Sequence, residues 1–489
     1  MERLSGLDAS FLYFETPSTH LHVGGIMVFD PSTSSSGDGS FEWVCDQVNR
    51  RLVPHKEFRR RPVRVPFNLH HPVWIEDPHF DLRRHVKRIG APSPGGMEEL
   101  AELAGEILSI PLDRNKPLWE MWVVDGLENG YVALIAKMHH ATIDGVTGAN
   151  LMVHLFDLEP ETEAPPVPEL PEGEHVPSDF ELVGYAVRSR LRRPLQFVRA
   201  VRDTGEAVVN VARRRRGGGG GMPTPFTAPR TSFNGAITPR RSVGFSSIPL
   251  DEVKKVKDLL GCTVNDIVLA VCGGALRRYL EERGEVVDKP LIAACPVSMH
   301  GVGDDGEGVN QVSAMFASLA TDIDDPVERV REINKVSRAA KEEHQAIGAS
   351  FLRNWAEFSG PNLGYAFRLY SRMKLAERHA PIHNLVISNV PGPPFPLYFG
   401  GAKLVALSPL GPIFEGAGLN VTVLSYLDSV GFGLHACPDV IPDVWEMAGL
   451  IPQAFEELQK AAAADSGAVP ADDGENSEAA VEGVAEVTE

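Results

Sequence analysis

Two adjacent histidines with an aspartate and a glycine close behind, His139-His140-Ala141-Thr142-Ile143-Asp144-Gly145, are the residues here best suited to chemistry. A neutral imidazole is a competent base near pH 7, because its reference pKa is about 6.5. Rigid placement turns such a base into a catalyst. Tyr131 to Lys137 is a short apolar run, as expected of a buried strand. Val146, Ala149, Met152, Val153 and Phe156 follow at helical spacing. The histidines therefore stand where a strand ends, and Asp144 near where a helix begins. An aspartate there caps the helix and suits the positive end of its dipole. Gly145 lets the chain turn sharply. An ordinary pair at a turn, a metal site and a general base all compete for this pattern. His-x-x-x-Asp lacks further metal ligands, and no nearby cluster completes a set, so no metal is expected.

The elements around this segment read as alternating strands and helices. His20 to Phe29 is a strand candidate, and Leu100, Leu103, Ile107 and Leu108 share one helical face. Thr263 to Leu280 carries an apolar stripe at helical spacing. Residues 291–295, 312–319, 384–390, 419–426 and 430–436 are further strand candidates. The last strands follow one another with short turns, which favours an α/β fold with mixed (α+β-like) sheets. Four segments are expected: residues 1–159, a linker over 160–230, a second unit over 231–460, and an acidic tail over 461–489. Residues 160–178 hold six prolines and five glutamates. Residues 188–216 carry ten arginines against Asp203 and Glu206, a local charge of +8, before five glycines at 217–221. The tail has eight acids and no lysine or arginine, so disorder is expected there.

Composition narrows the function. The 489 residues are 43% hydrophobic and 23% charged, ordinary for a globular protein. A net charge of −19 argues against a nucleic-acid partner. Cys45, Cys262, Cys272, Cys295 and Cys437 are scattered, as expected of reduced thiols inside a cell. The start of the chain lacks the apolar core of a signal peptide, and no apolar run is long enough to span a bilayer. A cytoplasmic protein is expected, peripheral on the inner membrane face or on lipid inclusions.

The HHxxxDG pattern resembles the active-site motif of the CoA-dependent acyltransferase superfamily. Further blocks are similar to one branch, the bacterial wax ester synthase/diacylglycerol acyltransferase family. They are Leu4-Ser5-Gly6-Leu7-Asp8-Ala9-Ser10-Phe11, Pro117-Leu118-Trp119, Asn234-Gly235, Thr263-Val264-Asn265-Asp266, Pro296-Val297-Ser298 and Ser388-Asn389-Val390-Pro391-Gly392-Pro393. The resemblance covers roughly residues 4–455 and implies two chloramphenicol-acetyltransferase-like domains with a substrate channel between them. It implies O-acyl transfer from acyl-CoA, a co-substrate, to diacylglycerol or a long-chain alcohol, with no bound cofactor. His140 would be the general base. Neighbouring residues at a strand end point opposite ways, which leaves His139 a supporting role. Asp144 would hold the loop. Asn265, in a helix first turn, is the candidate oxyanion stabiliser. Gly145, Pro117, Leu118, Trp119, Asp266, Ser388 and Asn389 are expected along the channel. His300 stands where the family commonly has arginine, which puts a charge-fixing role there in doubt. The arginine-rich segment 188–216 is expected either to meet an anionic lipid surface or to bridge the domains as a solvated helix. Two alternatives remain open: an acyltransferase of this fold acting on a polyketide or glycolipid alcohol, and a noncatalytic lipid-surface protein.

Overall fold

The computed structural model describes residues 2–35, 39–142, 152, 154–161, 165–168, 173–190, 223–224, 226–285, 288–298, 312–347, 362–465 and 467. The N-terminal half supplies β1 (Glu2–Arg3), α1 (Gly6–Phe14), β2 (His22–Asp30), α2 (Phe41–Arg51), β3 (Arg60–Val63), β4 (Val73–Glu76), β5 (Val86–Gly90), α3 (Met97–Ser109), β6 (Trp119–Asp125) and β7 (Val132–His139), then α4 (Asp179–Arg190). The C-terminal half supplies β8 (Ser242–Pro249), α5 (Leu250–Leu260), α6 (Val264–Glu282), β9 (Ile292–Ser298), β10 (Val312–Ser318), α7 (Pro326–Ile347), α8 (Asn362–Arg372) and β11 (Leu385–Val390). It continues with β12 (Tyr398–Phe399), β13 (Ala402–Leu410), β14 (Leu419–Tyr426), β15 (Ser429–Ala436) and α9 (Val444–Asp465).

Three sheets result, ordered β12-β13-β2-β7-β6-β5, β10-β9-β11-β14-β15-β8 and β1-β4-β3. The first is antiparallel except for β5 on β6, and in the second β11 runs parallel to both its neighbours. The expected mixed α/β architecture is what the chain adopts. β7 is an inner strand buried on both faces, which is why its sequence reads as a nearly continuous apolar run. Its one cation, Lys137, is fully buried and donates to the carbonyls of Ile107 and Ile110 at 3.0 and 2.9 Å. Lys137 thereby satisfies the C-terminal end of α3, where positive charge is favoured.

The sheets do not follow the boundaries drawn along the chain. β12 and β13 come from the C-terminal stretch, yet β13 pairs antiparallel with β2, from Lys403 opposite Asp30 to Leu410 opposite Gly24. Val243, Leu410 and α3 residues such as Leu100 and Ile107 share one apolar cluster with Ile26 and Val28, so both halves bury surface in common. α9 runs past residue 461 to Asp465 because Ala462 is buried in the core beneath the second sheet. Residues 468–489 of the expected tail lie outside the described residues, as do 191–222 of the arginine- and glycine-rich segment. No single helix among the described residues is long and apolar enough to cross a membrane. The pair α5 and α6 qualifies by composition but is bent by 102°, and α6 is core.

The contact between the two large sheets is tight at Gly433 of β15. A side-chain carbon there would collide with the backbone carbonyl of Pro409 in β13. Only a residue without Cβ fits. Gly433→Ala is expected to cost about 1–3 kcal/mol by overpacking, read as a lower urea midpoint with an unchanged slope. An unchanged midpoint would show that the sheets meet more loosely.

Candidate active site

The end of β7 is clamped from both sides. The His139 N–H donates to the Leu118 carbonyl at 2.9 Å, and the His140 N–H donates to the Leu21 carbonyl at 2.8 Å. Consecutive amides thus bind the segments entering β6 and β2, and the two side chains leave in different directions.

His139 is fully buried and committed. The Ala141 N–H donates to its Nδ1 at 3.0 Å, so Nδ1 is the unprotonated nitrogen and Nε2 carries the proton. Nε2 lies 3.6 Å from Glu15 Oε2. Burial pushes the ring's pKa down, against the pull of Glu15, and the ring is neutral. Thr142 Oγ1 donates to the His139 carbonyl at 2.7 Å and closes the turn. Glu15 is ionised. Burial alone would raise its pKa, but His139 and then the Arg114 guanidinium hold it down at about 2. Arg114 Nε donates to Glu15 Oε2 at 2.8 Å, and its NH2 group donates to the Leu12 carbonyl.

His140 is half-buried. Its ring stacks on Phe11 with centroids 4.1 Å apart and planes 26° from parallel. Nδ1 is buried and finds no hydrogen-bond partner among the described residues. Burial lowers the pKa to about 4. The imidazole is therefore neutral throughout the physiological range.

The partners of this pair come from the first blocks of the sequence. Ser5 caps α1, accepting from the Asp8 N–H at 3.0 Å and donating to Asp8 Oδ2 at 2.6 Å. The helix so started carries Phe11 to His140 and aims the following Glu15 at His139. Pro117, Leu118 and Trp119 are buried. Leu118 packs with Leu4, Leu12 and Ala141 beneath the site. Trp119 stacks on His85 and donates from Nε1 to the Phe58 carbonyl at 2.7 Å. These residues hold β6 in place for the Leu118–His139 bond.

A second group forms where α6 begins. Asn389 Nδ2 donates to Asn265 Oδ1 at 3.2 Å, which joins the two amides at the start of α6. Ser388 is half-buried beside Thr422 of β14. Asp266 does not line a channel, contrary to expectation. It is buried, and its Oδ2 accepts from the Thr263 N–H, the Thr263 hydroxyl and Asn334 at 2.7–2.9 Å. Its carboxylate is consumed by a capping box. Among the described residues no hydrogen bond or ion pair joins this group to His139 or His140. Asp144, Gly145 and His300 lie outside the described residues.

Sequence reasoning missed Glu15, Arg114 and a His-x-His pair. His22 faces His139 across the β2–β7 register, with ring centroids 6.4 Å apart, and His20 follows at 5.4 Å. Both nitrogens of His22 are buried without a partner among the described residues. No group of three or more His, Cys, Asp or Glu among those residues is arranged to hold a metal ion. The His-x-His spacing at 20–22 was the available signal.

The catalytic-domain model of the wax ester synthase/diacylglycerol acyltransferase family matches residues 4–268, and the C-terminal domain model of that family matches 309–459. A Mycobacterium tuberculosis protein, provisionally named a diacylglycerol O-acyltransferase, is 41% identical over 462 residues, 94% of this chain and 90% of its own length. The solved wax ester synthase/diacylglycerol acyltransferase from Marinobacter aquaeolei VT8 is 29% identical, with a TM-score of 0.69 over 96% of this chain and all of that one. A starter condensation domain of rhizomide synthetase RzmA shares the fold, with a TM-score of 0.53 at 13% identity over 94% of each chain. With the HHxxxDG segment, its clamped histidines and matches along nearly the whole length, the chain belongs to the wax ester synthase/diacylglycerol acyltransferase family and is an acyltransferase.

Proposed function

We propose that this chain moves a long-chain acyl group from acyl-CoA to the hydroxyl of a lipid alcohol, diacylglycerol or a long-chain alcohol, with His140 as general base. The observation that carries this reading is the contrast between the two histidines. Both rings are neutral, but His139 is held by the Ala141 N–H on Nδ1 with its Nε2 facing the ionised Glu15, whereas among the described residues the His140 ring makes only an aromatic stack. A neutral His140 takes the hydroxyl proton on Nε2 as the oxygen attacks the thioester carbonyl. The tetrahedral intermediate collapses, the C–S bond breaks, and the CoA thiolate recovers that proton from the imidazolium. No acyl-enzyme is required. The NH2 group of Asn265 is the donor we assign to the developing oxyanion, and Asp144 the residue that holds the loop. Both substrates are amphipathic or apolar, so we place the enzyme inside the cell at a membrane face or lipid inclusion, with residues 188–216 as its basic contact.

The names of the relatives support both acceptors, and an acceptor panel decides between them. Purified protein is incubated with labelled palmitoyl-CoA and either dioleoylglycerol or hexadecanol. CoA release that depends on one or both acceptors is expected. Release with neither would overturn this substrate assignment and point to a different alcohol or to a noncatalytic protein.

A further inference from the structure

A pocket of about 490 Å³ lies beside α1. Leu12 and Tyr13 of α1 line it, one and two residues beyond the Phe11 that stacks on the catalytic ring. Its opposite wall is α8, drawn close because Gly364 packs directly on the Tyr13 carbonyl. The volume falls in the range of small-molecule sites, roughly 300–1,000 Å³.

The charge of this pocket is at odds with the rest of the chain. Arg61, Arg64, Arg114 and Arg368 all line it, and among the described residues no aspartate or glutamate does. In a protein of net charge −19, arginines have many carboxylates to choose from. Two of the four do pair, Arg61 with Asp77 at 3.5 Å and Arg114 with Glu15. Arg64 and Arg368 have no carboxylate partner among the described residues; Arg368 lies over the Tyr365 ring at 5.9 Å. Burial, and then the charges of Arg114 and Arg368, push the Arg64 pKa down, so the guanidiniums feel one another. Like charges around one cavity, two of them without a carboxylate partner among the described residues, are what a multiply charged anion neutralises, and a guanidinium fork matches phosphate oxygens.

The rim adds an apolar component. Phe67 is 89% exposed, and it and Asn68 both occupy the left-handed backbone region at φ 55° and 54°. Tyr365 and Leu369, one helical turn apart on α8, are 60% and 57% exposed. Large apolar side chains flanking a basic cavity suit a ligand with both a charged and a greasy part.

We propose that this pocket binds the phosphate of an amphipathic ligand, with Arg64 and Arg368 as the phosphate-facing guanidiniums. Two molecules carry that chemistry: the CoA end of the acyl donor, and the headgroup of an anionic phospholipid. The first rests on the donor proposed above, and the second does not. The test uses the full chain and the double variant Arg64→Gln/Arg368→Gln, which removes two charges and breaks no ion pair found among the described residues. Desulfo-CoA binding is followed by calorimetry, and flotation is followed with phosphatidylcholine vesicles with and without phosphatidate. A loss of about tenfold or more is expected for one ligand, because charge-assisted bonds to its phosphate are removed. Loss confined to desulfo-CoA identifies the donor's phosphates, and loss confined to phosphatidate vesicles identifies a lipid headgroup. Wild-type affinity of the double variant for both would overturn the proposal. These are binding readouts, so a failed acceptor panel with intact binding would count against the acyl-transfer reading alone.

Discussion

His140→Ala is expected to remove turnover while leaving the fold intact. A positioned general base contributes about 10²–10⁴-fold, and among the described residues no neighbour is placed to replace this one. His139 cannot, because its Nδ1 already accepts the Ala141 N–H and its Nε2 faces Glu15. The stability change should stay within about 1 kcal/mol, because the ring's described contact is the Phe11 stack. Acyl transfer and a melting curve measured on the same preparation check both halves. A variant that kept most of its rate would remove His140 from the mechanism. The same group makes a second demand on the wild type. An unperturbed histidine would give an acid limb near pH 6.5, but burial holds this one at about 4, so kcat/KM should stay level through pH 6 and fall only towards 4. The sign for stability points the same way. The unfolded chain binds this proton near pH 6.5 and the folded chain does not, so stability declines as pH drops from 6.5 towards 4. Each rate must therefore be paired with a folding measurement at that pH.

Much of this site was legible locally, and what was not legible is long-range. The apolar run before His139 declared an inner strand because both its faces are covered. The orientation of the histidines followed from the twofold alternation of a strand. The helix at Thr263 was legible too, and so was its capping box, since threonine followed three residues later by aspartate is that motif's spacing. The family block places Asp266 beside substrate, whereas the local Thr-x-x-Asp spacing assigns its carboxylate to the backbone, as found. Glu15 and Arg114 are 99 residues apart, and each looks like a surface residue in its own surroundings. Only the packing of α1 against the turn after β7 brings them behind His139. The same holds for β13. Its residues resemble those of any half-buried strand, and the choice of β2 as partner is made by tertiary packing, across hundreds of residues of chain. Local propensity specifies the elements, while the pairing of distant edges and buried charges is settled by what those elements cover.

Glu15→Gln is expected to weaken the fold more than any surface substitution and to impair catalysis indirectly. Glutamine keeps the shape but removes the charge that Arg114 and the His139 edge both face. Breaking a half-desolvated pair from one side typically costs about 3–5 kcal/mol. The pH dependence separates this cause from mere repacking. Glu15 has a depressed pKa in the folded state, so its contribution is fully present above pH 4.5 and lost as pH falls towards 2. The stability gap between wild type and variant should therefore be widest at neutral pH and narrow through that window. Urea unfolding at pH 7 and again near pH 3 measures it. Turnover should fall less than in His140→Ala, because His140 and its stack on Phe11 remain, while His139 loses its anchor and the turn after β7 loosens. A constant gap across pH would assign Glu15 a purely steric role, and no gap at all would mean that Arg114 finds an equivalent partner in its absence.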